Sequence, residues 1–348
     1  MMKDPIHVIV CTNAHYLPGA FVTLGSLLDA NGGRDSFRLH ILDTGIGDQG
    51  RVALSRFLQR YLNAEVVFHS VVDATFFRDC PTDYGGGFSA YSRLFLGSLI
   101  DASRCIYVDV DILVLKDVAT LWHRSMDGKI LLAVRDYQGS YLSTLNDDCP
   151  FLPAEEAKKY PYYCTGVLLC DLAAWRAFDT ERKAFELIRQ APQTLRAWDQ
   201  TILNYLLRGH IGEIDKSWAL YCVIEPFLGN ANYHFFSKKK PWGQRIFIPA
   251  NTLWHTYYRL RVRPFYRYQQ PFRIRLFNFC WSIRSFLFAF ILTEPYIRFR
   301  RWMGKREDAV QATRIMLKAY RQNVLHGLDP QSRATLETLR RYWGQCKP

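Results

Sequence analysis

Through residues 6–208, short apolar runs of strand length alternate with longer segments whose apolar positions recur at helical spacing. A run at 6–11 is followed by a helical segment over 17–30, one at 37–42 by a segment over 50–61, and a further strand is expected over 65–71. The glycine run Gly85-Gly86-Gly87 precedes a helical stretch over 91–100, and strands follow at 105–108, 130–134 and 166–170. Helices over 173–190 and 199–208 close this body. Such alternation predicts βαβ units and an α/β fold with a mostly parallel sheet flanked by helices. Ligands of such sheets bind beyond the carboxyl ends of the strands, here residues 11–16, 109–111 and the surroundings of Asp199.

Composition changes the picture at the far end of the chain. Beyond Trp242 arginine and aromatic residues dominate, as in Arg259, Arg261, Arg263, Phe265, Tyr266, Arg267 and Tyr268. Residues 256–348 hold 19 Lys and Arg against 5 Asp and Glu, a net +14, whereas residues 1–255 hold 26 against 27, a net −1. The charge of +13 therefore belongs to the tail, and the expected division is a body over 1–245 and a basic, aromatic, helical region over 246–348. Residues 276–292 include Asn278 and Arg284 and are too short and polar for a membrane span. Phe279, Ile283, Phe286 and Phe290 share one helical face, the pattern of a helix lying in the interface of an anionic membrane. The same pattern also fits a helix packed on the body with a solvated basic face. Nucleic-acid binding is the other use of such a tail, but the neutral body offers no matching groove and no base-reading motif, so no nucleic acid is expected.

At 49% hydrophobic residues over 348 positions the chain can bury a full core, which excludes a disordered protein. The nine cysteines are odd in number, with no C-x-x-C pair or Cys/His cluster at zinc spacing. A reducing compartment fits best. The N-terminus runs into the first strand without the apolar stretch of a signal peptide, so the expected location is cytoplasmic, peripheral at the inner face of the membrane.

Asp109-Val110-Asp111 puts two carboxylates at the mouth of a strand, where alternation lets positions i and i+2 share a face. Paired carboxylates suit a hard divalent cation, which a departing nucleoside diphosphate needs to offset its charge. Alone the motif is weak, because with 22 Asp in the chain about one such triplet is expected by chance. It does not stand alone. Tyr91-Ser92-Arg93-Leu94 precedes the run from Ile106 to Val114 that contains the acidic triplet. Thr165-Gly166-Val167-Leu168-Leu169, Asp199-Gln200-Thr201-Ile202-Leu203-Asn204 and His234-Phe235-Phe236-Ser237-Lys238-Lys239-Lys240-Pro241-Trp242 follow in order. These blocks resemble, in order and spacing, those of glycosyltransferase family 8, retaining sugar transferases of the GT-A fold that include bacterial lipopolysaccharide galactosyl- and glucosyltransferases. The resemblance covers about residues 6–242.

The resemblance implies a metal-dependent retaining hexosyltransferase that uses UDP-glucose or UDP-galactose. Asp109, Asp111 and His234 would hold Mn²⁺, with Mg²⁺ as the alternative, and Lys240 would pair with the diphosphate. Two carboxylates and a neutral imidazole suit Mn²⁺ better than Ca²⁺. His255, in Leu253-Trp254-His255, is the rival third ligand, although no K-P-W follows it. The segment Cys11-Thr12-Asn13-Ala14-His15-Tyr16 is similar to the family's A-x-D-x-N-Y loop, which makes Asn13 and Tyr16 the counterparts of its uracil-binding residues. Asn in place of Asp keeps an acceptor and adds donors. Cys11, Thr12, Asn13, His15, Tyr16, Val110, Cys164, Thr165 and Ser237 would complete the donor site. Arg93, Asp199 and Gln200 would meet the donor hexose, Gln200 lying near the anomeric carbon. Cys164 stands where the family commonly has Asn, and a thiol is a poor partner for a sugar hydroxyl.

The implied reaction proceeds by a front-face path in which a phosphate oxygen of the donor deprotonates the acceptor, with Asp199 as the fallback nucleophile. The tail makes a lipid-linked saccharide, such as lipopolysaccharide or lipooligosaccharide core, the leading acceptor, with a protein or soluble glycan as the alternative. A sugar-nucleotide-binding protein without catalysis is the remaining reading.

Overall fold

A computed structural model describes residues 4–71, 89–136, 152–190, 197–221, 230–236, 240–243, 249–268, 293–304 and 330–345, with 287, 310, 314 and 317 as single positions. The chain divides into two compact units, Met1–Ala219 and Leu220–Pro348.

The first unit is built on seven strands: β1 Ile6–Thr12, β2 Phe37–Asp43, β3 Ala64–Ser70, β4 Arg104–Val108, β5 Leu131–Arg135, β6 Tyr163–Asp171 and β7 Ile211–Ile214. Their order in the sheet is β3-β2-β1-β4-β6-β5-β7. All neighbouring pairs are parallel except the two made by β6, which runs against β4 and β5. Because β6 is reversed, its first residues lie at the same edge as the last residues of β1, β4 and β5. That edge is where the site forms.

α1 (Leu17–Asn31) follows β1 and is buried along nearly its whole surface, which accounts for its run of apolar and small residues. It opens with Pro18 in its first turn and closes on Gly32 in the left-handed conformation. α2 (Asp48–Leu58) buries only one face, through Leu54, Phe57 and Leu58. The stretch expected as one helix over 91–100 is a 3-10 helix, Ser89–Phe95, continued by a short α-helix, α3 (Leu96–Leu99). The helix expected over 173–190 is two, α4 (Leu172–Ala177) and α5 (Thr180–Gln190). They part at Asp179, whose φ of 59° cannot continue a right-handed helix. α6 (Trp198–Leu206) starts at Trp198, with φ 46°. A bulky residue in that region is strained, and here the strain sits immediately before Asp199. The core between these helices and the sheet includes Ile9, Leu42, Tyr91, Tyr107, Leu168, Trp175 and Leu203.

In the second unit β8 (Leu220–Tyr221) pairs in parallel with β9 (Tyr233–His234). α7 (Pro249–Tyr257) runs into a π-helical turn, Tyr258–Val262. α8 (Thr293–Trp302) and α9 (Pro330–Gln345) follow. Several tail aromatics are core residues: Trp254 stacks on Tyr258 at 5.6 Å, and Tyr257 meets the edge of Trp343 at 5.0 Å. The glycine run 85–87 and the expected interfacial face of Phe279, Ile283, Phe286 and Phe290 lie outside the described residues. Among the described residues no helix is long and apolar enough to cross a membrane.

Candidate active site

Arg93, carried by the 3-10 helix, is the centre of the site in the first unit. Its guanidinium lies 4.3 Å from the centre of the Tyr107 ring. Nη2 is 2.8 Å from Asp109 Oδ1, Nε is 2.9 Å from Asp199 Oδ2, and Nη1 donates to the Thr165 carbonyl. Tyr107 Oη donates to the same Asp109 oxygen at 3.0 Å. The fork of an arginine thus ties together the end of β4, the start of β6 and the start of α6. In this arrangement Arg93 sets the direction of both carboxylates.

Burial pushes the Asp199 carboxyl up to about 7 against the pull of Arg93, and the charge of Asp109 adds to the rise. Burial works to lower Arg93, but Asp109 and Asp199 hold it well above its ordinary value.

A turn, not strand alternation, brings the two carboxylates of the acidic triplet together, with ligand oxygens within 4.8 Å of one another. β4 ends at Val108, and the Ile112 amide donates to the Asp109 carbonyl at 3.2 Å, closing a turn over 109–112. The Asp109 amide donates to Gly166 O of β6 at 2.8 Å, which anchors the turn. Asp111 is buried, and the Asp109 side chain keeps 23% of its surface exposed. Val110 between them is buried.

Gln200, in the first turn of α6, has its amide oriented by two neighbours. Oε1 accepts from the Thr165 amide at 3.1 Å, and Nε2 donates to Asp136 Oδ2 at 2.9 Å. Thr165 Oγ1 reaches Asp199 Oδ2 at 3.4 Å. Asn204, one turn later, accepts from the Tyr163 amide and donates to its carbonyl, both at 2.7 Å. This reciprocal pair fastens α6 to the first residues of β6, so the last residue of the Asp199–Asn204 block has a structural task. Cys164 is buried, and its Sγ accepts from the Gly166 amide at 3.3 Å.

At the end of β1 the loop over 12–16 is held by Asn13. Its Oδ1 accepts from the amides of His15 and Tyr16 at 2.9 and 3.1 Å, and its Nδ2 donates to Ser89 Oγ at 3.0 Å. Ser89 Oγ is 2.8 Å from Thr44 Oγ1, while Cys11 Sγ donates to Ser89 O. Burial raises the Cys11 thiol to about 12, so it is a neutral packing group. Thr12 O receives the Thr44 amide at 3.0 Å. His15 is exposed, with its ring edge-on to Tyr16 at 5.2 Å, and Tyr16 is half-buried.

In the second unit His234 is buried and stacks on Tyr221 at 5.5 Å. Lys240 Nζ donates to Phe235 O at 2.8 Å. His255 lies on α7, edge-on to Trp254 at 5.1 Å. Ser237 lies outside the described residues.

Three residues of this edge carry no motif in the sequence. Asp136 follows β5 as Asp109 follows β4, so the rule that ligands gather beyond strand ends would have found it. Ser89 and Thr44 are small hydroxyl residues with no distinguishing pattern.

A mostly parallel sheet with one reversed strand, flanked by helices, is the architecture of the GT-A glycosyltransferases. In line with that class, the structure resembles galactosyltransferase LgtC in complex with donor and acceptor sugar analogs, with a TM-score of 0.61, 21% identity, and coverage of 78% of this chain and 99% of LgtC. The chain belongs to glycosyl transferase family 8, whose sequence pattern matches residues 7–245. It is 26% identical to general stress protein A of Bacillus subtilis over 276 residues, covering 72% of this chain and 92% of that protein. It is 24% identical to glycosyltransferase GlyF of Streptococcus pneumoniae over 261 residues, covering 72% of this chain and 60% of GlyF. Sugar transfer is the activity that this membership gives.

Proposed function

We propose that the chain transfers glucose or galactose from a UDP-sugar to a saccharide acceptor with retention of anomeric configuration. The observation that carries this reading is the fixed amide of Gln200, held between Thr165 and Asp136 beside the Asp199–Arg93–Asp109 cluster. A hexose whose anomeric carbon lies near Gln200 would find the oriented dipole of its amide there. Asp199 is engaged by the Arg93 guanidinium at 2.9 Å, which neutralises its charge and favours the front-face path.

The carboxylates of Asp109 and Asp111 and the imidazole of His234 are the groups that would hold the divalent cation. One imidazole with two carboxylates suits Mn²⁺ or Mg²⁺, and the ion would offset charge on the departing diphosphate. Lys240 would neutralise an oxygen that the ion leaves uncovered. The loop over 12–16 would hold the uracil, with Tyr16 beneath the base and Asn13 fixing the loop's shape. The basic tail supports an acceptor linked to lipid, such as lipopolysaccharide core, and a peripheral position at the inner face of the membrane.

Anomeric configuration tests the reaction type. NMR of the product made from an α-linked UDP-hexose should give an α-glycoside; a β-glycoside, or a hexose trapped covalently on Asp199, would overturn the front-face reading.

A further inference from the structure

α8 in the second unit carries large apolar side chains that stay exposed among the described residues. Ile297 is fully buried, but Phe299, Trp302 and the adjoining Met303 are 52%, 79% and 53% exposed. These positions are related as i, i+3 and i+4 and so form one stripe, with the rings of Phe299 and Trp302 5.8 Å apart. At about 100° per residue, Arg298 and Arg300 fall on either flank of the stripe and Ile297 on the opposite side. The exposure is selective: Trp242, Trp254 and Trp343 of the same unit are 5%, 1% and 3% exposed.

We propose that this stripe docks on an anionic lipid bilayer. Phe299, Trp302 and Met303 enter the boundary between headgroups and acyl chains while the flanking arginines meet lipid phosphates. The proposal rests on the membrane-associated reading given above and names the element that makes the contact. Charge complementarity selects the occupant. Residues 256–348 carry a net +14, which opposes pairing of two copies through this face and attracts a negative surface. Large amphipathic aromatics beside cations are the residues that settle at a membrane–water interface.

The test uses the full chain, sedimented with phosphatidylcholine vesicles that contain or lack phosphatidylglycerol. Three proteins are compared: the wild type, a triple variant (Phe299→Ser, Trp302→Ser, Met303→Ser) and a double variant (Arg298→Gln, Arg300→Gln). The wild type should bind only the phosphatidylglycerol vesicles and release with salt. The triple variant should lose about tenfold in partition and the double variant less, with a smaller dependence on salt. Thermal unfolding of each variant shows that the fold is retained, and UDP release with a water-soluble acceptor should be the same in all three. Vesicle binding by the triple variant equal to wild type would overturn the proposal. So would a wild-type dimer that the triple variant abolishes, or capture by an acidic protein without any vesicle binding. Wild-type vesicle binding without transfer to any acceptor would count against the catalytic reading and leave the docking surface standing.

Discussion

Two clusters of buried titratable groups in the first unit are stabilised in opposite ways. At the carboxyl edge of the sheet, Arg93 is held between Asp109 and Asp199 in an ion-paired cluster. Across β1, β2 and β3, His7, His40 and His69 form a row of neutral rings. His7 Nδ1 lies 3.0 Å from His40 Nε2, and His40 Nδ1 lies 2.9 Å from His69 Nε2. Each of these contacts takes one N–H and one lone pair, which neutral imidazoles supply. Burial holds His40 down to about 3, with His7, His69 and Arg38 adding to the effect. Burial also lowers His7 and His69. A charged cluster therefore fails when a partner is deleted, and a neutral row fails when a proton is added. The charged one lies where ligands of such a sheet bind; the neutral one crosses the body of the sheet.

Deleting the central cation should have the largest effect. Arg93→Met leaves two carboxylates at the edge without their counter-charge and should cost about 3–5 kcal/mol in chemical denaturation, with transfer activity lost. Asn204→Ala removes both bonds to the Tyr163 backbone and should cost about 2 kcal/mol. It should also lower kcat, because Gln200 is carried by the same helix; an unchanged kcat would show that α6 does not need this anchor to place Gln200.

The pH responses sharpen the contrast with a smaller effect. The folded-state value of His40 lies below its ordinary 6.5, so its stabilising contribution is present above about 6.5 and is lost as pH falls toward 3. His40→Leu should flatten the acid side of a plot of Tm against pH. Asp199 behaves in the opposite sense, since its folded value is raised from 3.8 to about 7. Its contribution is complete below 3.8 and is lost as pH rises through 7, so Asp199→Asn should remove a decline in stability across that window. Matching pH slopes in the two variants would contradict the comparison.

Much of this architecture was legible in the sequence. β1 and β2 were readable from apolar runs, because strands covered on both faces leave little room for polar residues; β3, half-exposed at the edge of the sheet, was readable from its run Val66-Val67-Phe68. The motif blocks located Arg93, Asp109, Thr165, Asp199 and Gln200, which the fold brings to one edge of the first unit. What escaped was tertiary. The short edge strand β7 has too few residues to show a period, and the reversal of β6 leaves no mark on its composition. The break at Asp179 depends on one backbone angle, and no local signal announces it. Nor did the sequence show that Asn13 Oδ1 accepts from two loop amides, a bond pattern that depends on how residues 13–16 turn. Asp136 was legible in principle as the residue after β5, but as a lone carboxylate it carries no motif to single it out from other strand ends.

The central claim is tested most directly by UDP release from a panel of UDP-hexoses, with Mn²⁺ and with chelator, on the wild type and on Asp111→Asn and His234→Ala. The account predicts release from UDP-glucose or UDP-galactose that requires the metal and is lost in both variants. Release indifferent to chelator and to both substitutions, or none from any UDP-hexose, would contradict it.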